Sequence, residues 1–151
     1  MMNKQHNIQL SEHFSLSEFT KSITAERLGI RNQPSYEQVL AMRHLCREVL
    51  EPLRQHYGAP IRITSGFRCE ALNKAVGGVG NSQHMDGEAA DLSVPSEEVA
   101  RDWFQWLAHH TDFDQLLFEH SQRLHNRWLH VSCCWDSRRN RHQSIYNYRT
   151  R

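Results

Sequence analysis

The chain has 151 residues and a mass of 17.8 kDa, the size of one domain able to bury its own core. Lys plus Arg number 18 against 17 for Asp plus Glu, a net charge of +1 that argues against a dedicated polyanion binder; 38% apolar content is that of a globular protein, and 7 Gly with 4 Pro are too few for a fibrous or disordered chain. No run approaches the roughly 18 apolar residues of a membrane span, and the opening MMNKQHNIQL has no apolar stretch of the secretory kind.

Helix signals come first along the chain. Ser15 followed by Glu18 forms a capping box ahead of Phe19, Ile23 and Leu28, with Gly29 as the stop. Ser35 and Gln38 repeat the device. Val39, Met42, Cys46, Val49 and Leu53 then recur at helical spacing from Tyr36 to Tyr57, where Pro52 predicts a kink or break one turn before the end. Ile61 and Ile63 alternate with polar neighbours as a strand that ends at Ser65-Gly66. A short helix is expected from Cys69 to Val76, stopping at Gly77-Gly78. Ala89 to Val94 reads as a strand, apolar except for Asp91. Ser96 opens a third long helix whose core face would be Val99, Trp103, Trp106 and Leu107. Gln115–Glu119 and Trp128–Trp135 read as a hairpin closing through residues 120–127. Adjacent strands of this kind favour an α+β fold with a small, mainly antiparallel sheet and helices packed around it. Residues 1–151 form one domain, and the tail 136–151, polar and rich in arginine, is expected to be partly disordered. The four cysteines show no ligand spacing and read as free thiols, mostly buried.

Histidine is over-represented, with 11 residues, and two of them sit where a core would not want them. His84 lies in the glycine-rich loop that leads into Asp91, and His130 lies mid-strand in Trp128-Leu129-His130-Val131. A carboxylate on an apolar strand is costly unless paired or bound to a metal. Two histidines and one carboxylate are a common set for catalytic zinc, with one position left for water. Glu119 ends the neighbouring strand and would lie near His130 across the hairpin, as a proton acceptor. His-x6-Asp alone is only moderately distinctive in so histidine-rich a chain. The other histidines, among them His13, His44, His56, His109 and His110, read as solvated or helix-end residues. Asp86 and Glu88 read as solvated loop charges.

Ser82-Gln-His84-Met-Asp-Gly87-Glu-Ala89-Ala-Asp91 resembles, at every defined position, the S-x-H-x-x-G-x-A-x-D motif of zinc D-alanyl-D-alanine peptidases. That family shares its fold with the amino-terminal domain of hedgehog proteins. Trp128-Leu-His130 is similar to the family's W-x-H element, and Ile63-Thr-Ser-Gly-Phe-Arg68 to its S-G-[YF]-R strand end. His13-Phe14-Ser-Leu-Ser-Glu18-Phe19 and Gly29-Ile30-Arg-Asn32 resemble its phage and prophage branch. The similarity covers roughly residues 10–135. It implies one Zn2+ ion held by His84, Asp91 and His130, with Glu119 as general base. Arg68 would hold the substrate's terminal carboxylate or the charge developing on its carbonyl. Ser82, Gln83 and Trp128 would support the ligands from behind or bind substrate. Several relatives carry an acid three residues before the last histidine, where this chain has Arg127. A histidine five residues before that ligand aids catalysis in one branch, and His125 occupies the spacing here.

The function implied is hydrolysis of a peptide bond in peptidoglycan stem peptides, as a carboxypeptidase or an endopeptidase of the endolysin type. The enzyme would be made in the cytoplasm without a signal peptide and would meet the wall after lysis or virion delivery. A second reading keeps zinc in a non-catalytic wall-binding or phage structural domain of the same fold. A nucleic-acid reading would rest on Arg138, Arg139, Arg141, Tyr146, Tyr148, Arg149 and Arg151, but no recognised module accompanies them, so no nucleic-acid partner is expected. Oligomeric state is left open.

Overall fold

A computed structural model describes residues 7–150. Arg151 and the first six residues, which begin the supposed unexported start, lie outside the described residues. The chain folds as α+β, with five strands in one sheet of order β1-β2-β4-β3-β5: β1 (Ile63–Ser65), β2 (Ala89–Ser93), β3 (Gln115–Ser121), β4 (Asn126–Ser132) and β5 (Gln143–Thr150). All pairs are antiparallel except β3 with β5.

The opening segment forms two short helices rather than one, α1 (Leu16–Thr20) and α2 (Ile23–Leu28). Glu18 Oε2 accepts the Ser15 N–H at 2.6 Å to start α1. Ser22 then interrupts the run, because its hydroxyl caps α2 by accepting the Ala25 N–H at 3.1 Å. The expected long helix runs unbroken through α3 (Tyr36–Leu45), a π turn (Cys46–Leu50) and α4 (Glu51–Tyr57). Pro52 does not break it. The preceding turn widens instead, so that the Glu51 N–H reaches back five residues to Cys46 O, which makes room for a ring that would otherwise crowd a carbonyl.

The remaining helices are α5 (Glu70–Ala75) and α6 (Glu97–His110). Ser96 caps α6, and His109 and His110 donate Nδ1–H to the carbonyls of Gln105 and Trp106 at its other end. Trp103 and Leu107 are buried, while Trp106 is half-buried and stacked between His56 and His110. One sheet face, carrying Ala90, Leu92, Leu116, Phe118, Leu129 and Val131, is buried in the core with α3, the π turn and α6. The period of two then places Asp91, His130, Leu117 and Glu119 together on the other face. Cys46, Cys133 and Cys134 are buried and all four cysteines are free, as their lack of ligand spacing suggests.

The tail corrects the sequence reading. It is not disordered: residues 143–150 form β5, parallel to β3. The clip is Asp114, whose buried carboxylate accepts the Arg141 backbone N–H at 2.8 Å, Nε–H at 3.0 Å and Nη2–H at 2.9 Å, while its carbonyl accepts the Gln143 N–H at 2.9 Å. Burial favours the neutral acid, but Arg141 prevails and holds the Asp114 pKa below the usual carboxylate value. Stability from this pair is present above the unfolded pKa of about 3.9 and is lost as pH falls through the lower folded value. Asp114→Ala should cost about 2 kcal/mol at neutral pH, the Arg141 side being solvent-exposed. Urea unfolding of both proteins at neutral pH and near pH 3 measures it, and the gap should narrow in acid.

Candidate metal centre

The loop before β2 is held from two sides. Asn73, at the end of α5, donates Nδ2–H to Val79 O at 2.9 Å, and Gln38 of α3 donates Nε2–H to Met85 O at 3.0 Å. Gly87 ends a 3-10 turn (Gln83–Asp86) with φ +75°, and a Cβ there would stand 2.5 Å from Gln38 O. Gly87→Ala should therefore destabilise the fold by at least ~2 kcal/mol, through left-handed strain plus a clash with backbone. A shift of the urea midpoint by less than that would mean that α3 can retreat from the loop.

His84 is buried, and its Nδ1–H donates to Gly66 O at 2.6 Å. A carbonyl can only accept, so the proton sits on Nδ1 and the Nε2 lone pair faces Asp91 Oδ2 at 3.4 Å. Burial keeps this imidazole neutral by lowering its pKa. Any residue could supply that carbonyl, but glycine is needed at 66 because a Cβ on it would stand 2.7 Å from the Cα of Phe19. On the far side, His130 Nδ1 lies 2.9 Å from Asp91 Oδ1, the two residues being cross-strand partners on β2 and β4. Burial opposes charge on His130, but the hydrogen bond and charge of Asp91, with Glu119 beyond, raise its pKa. Burial likewise works against the Asp91 carboxylate, yet the hydrogen bond and charge of His130 hold it ionised, below the usual carboxylate range.

His84, Asp91 and His130 each offer one ligand atom, and these atoms lie within 4.8 Å of one another. A lone pair facing a carboxylate oxygen is repulsive unless a cation stands between them. Two imidazoles and one carboxylate are the donor set zinc accepts, so these residues fit the ion.

Of the other expected residues, Glu119, Arg68, Ser82, Gln83 and Trp128 line the same cavity, of about 580 Å³. Glu119 pairs opposite Trp128 and not His130, which faces Leu117, so acid and ligand are diagonal neighbours on one face. Burial, then the Asp91 charge, raise the Glu119 pKa to about 7 against the opposing pull of His130, Trp128 and Arg68. The buried indole N–H of Trp128 makes no hydrogen bond of full geometry. Arg68 donates Nη2–H to Ser82 Oγ at 3.3 Å, and its buried Nε–H has no partner. Burial lowers its pKa, while Asp91 and Glu119 act to raise it. Ser82 Oγ also accepts the His84 N–H at 3.3 Å, and Gln83 contacts Cys134 Sγ at 3.6 Å.

His125 does not join them. It is exposed, holds φ 52° in the hairpin turn and is not among the cavity's lining residues. Arg127 points to α6, donating Nη1–H to Glu97 Oε2 at 3.0 Å, so an acid at this position would not face the ligands. Glu88 is not a solvated loop charge: it is buried and accepts the Trp135 N–H at 2.6 Å, and burial raises its pKa.

Sequence reading gave Asn32 no role. Its Oδ1 accepts the Cys69 N–H at 2.8 Å and its Nδ2–H donates to Thr20 O and Phe67 O, which clamps the backbone on both sides of Arg68. Arg141, Tyr148 and Thr150 also line the cavity. The alternating Tyr146, Tyr148 and Thr150 were a strand signal within the tail.

Fold and site together define a class: an α+β domain with a His/Asp/His cluster that could hold a metal ion and a carboxyl in the same cavity. A family model described as Peptidase M15 matches residues 12–132, most of the chain, and the chain belongs to that family. Over 49 residues it is 45% identical to the zinc D-Ala-D-Ala carboxypeptidase of Streptomyces albus G, a match covering 32% of this chain and 19% of that relative. The shared stretch is thus about a fifth of the relative's length. Among the described residues no helix is long and apolar enough to cross a membrane.

Proposed function

We propose that the chain is a zinc-dependent peptidase that cuts a peptide bond of peptidoglycan stem peptides, as a D-Ala-D-Ala carboxypeptidase or an endopeptidase of the endolysin type. The observation that carries this reading is geometric: the Glu119 carboxyl lines the same cavity as His84, Asp91 and His130 without being one of the three clustered donors. A site that merely bound zinc would have no use for a further carboxyl in the same cavity that could take a proton from water.

His84, Asp91 and His130 would hold the ion, which when bound supplies Lewis-acid polarisation of a carbonyl and a lowered pKa for water. Glu119 takes a proton from the attacking water and returns it to the leaving amine. Arg68, its fork steadied by Ser82, holds the substrate carboxylate or the charge growing on the carbonyl oxygen. Trp128 walls the acid from bulk water. Contact with the wall would follow lysis or virion delivery, the route suggested by the phage-like opening segment.

Incubation of zinc-loaded protein with purified peptidoglycan, followed by mass analysis, tests the reading. Shortened or unlinked stem peptides, abolished by a chelator, are expected. Unchanged masses with stoichiometric zinc present would overturn it.

A further inference from the structure

We propose that β5 is a substrate-recognition wall of the cleft, in which Arg141, fixed by Asp114, takes a carboxylate of the peptide remote from the cleaved bond while Tyr148 packs against the peptide beside Glu119. The proposal rests on the peptidase reading and names what sets its specificity.

Three observations converge. β5 lies beyond the residues that the family model matches, yet it and the turn before it supply Arg141, Tyr148 and Thr150 to the same cavity as the metal ligands. Tyr148 sits opposite Glu119 in the parallel ladder and leaves 39% of its surface open, so a ring edges the reaction centre on the side away from β4. Arg141 spends Nε–H and one Nη2–H on a carboxylate that is 2% exposed, while its own side chain is 58% exposed. Its Nη1 has no protein hydrogen-bond partner among the described residues. A guanidinium whose plane is set by a buried acid and whose other edge is open is preorganised for a second carboxylate.

The two arginines of the cavity differ in place. Arg68 feels the charges of Asp91 and Glu119 and so belongs to the reacting end. Arg141 is influenced by Asp114 and Cys134, away from the ligands. A stem peptide offers both kinds of anion: a carboxylate at its end and others on the residues before the cleaved bond.

The test compares two synthetic stem peptides that share a free terminal carboxylate, one with its internal carboxylates free and one with them amidated. The zinc-loaded parent should favour the free form. Arg141→Ala should raise KM for the free form by ~10-fold, leave kcat nearly unchanged and leave the amidated form's KM alone, so that the preference disappears. Arg141→Lys keeps the charge and loses the fork, and should retain only part of the preference. Tyr148→Ala should raise KM for both peptides alike. If Arg141→Ala lowers turnover of both peptides equally, or the parent does not discriminate, the wall is overturned and Arg141 is only the clip for β5. Calorimetric binding of the same peptides separates this from the parent reading. A parent that hydrolyses neither peptide but binds the free form more tightly through Arg141 sinks the peptidase and keeps the wall. One that binds both equally, with or without Arg141, sinks the wall.

Discussion

Asp91→Ala should strip the protein of zinc and of hydrolysis together. Asp91 stands in the middle of the proposed ligand set: Oδ2 faces His84 and Oδ1 faces His130, so the side chain would both bind the cation and space the imidazoles. Without it two donors remain, a set that does not hold zinc at the usual affinity. Activity on stem peptides should fall by at least ~10³-fold, since polarisation of the carbonyl and activation of water are lost together. The fold should survive, because the substitution leaves the backbone ladder of β2 with β4 intact, and removing a buried carboxylate also removes a desolvation cost. Metal analysis of the dialysed variant, with circular dichroism as the control, measures both effects. Stoichiometric zinc in a folded Asp91→Ala protein would remove Asp91 from the ligand set.

Glu119→Gln separates chemistry from metal. The carboxamide fills the same space opposite Trp128 and keeps one carbonyl oxygen, so zinc content should match the parent while kcat falls ~10²- to 10⁴-fold. The acid must be ionised to take a proton, so kcat/KM should rise as pH increases through its pKa, about 7 in the metal-free protein. A bound cation favours the carboxylate, which moves this rise to lower pH in the loaded enzyme. The Gln variant should lack that limb. A variant that turns over at the parent's rate, with the parent's pH profile, would take Glu119 out of the mechanism.

Much of the metal centre was legible because its residue types are costly where they stand. Asp91 on an apolar strand and His130 mid-strand are poor core choices, and both prove to lie on the sheet face opposite the core. The acid was legible in the same way, as a carboxyl closing the apolar run Leu116–Phe118. Its register was not: pairing with Trp128 rather than His130 depends on the four-residue turn at 122–125, which a polar stretch does not specify. The same turn explains His125, whose spacing suggested catalysis while its φ of 52° serves chain reversal.

Local chemistry decided the helices and the ligands. Capping boxes at Ser15 and Ser35, the cap at Ser96 and the period-two pattern of β2 and β4 act through neighbours in sequence, so the chain alone carries them. Only the folded molecule decided that Gly66 would present its carbonyl to His84, that Asn32 would clamp Arg68, and that the tail would become a strand. Each of these depends on a contact between segments far apart in the chain. Asp114 with Arg141 shows the reason: a polar, arginine-rich tail has too little apolar surface to order itself, and it becomes β5 where a buried carboxylate and the open edge of β3 receive its hydrogen-bond donors.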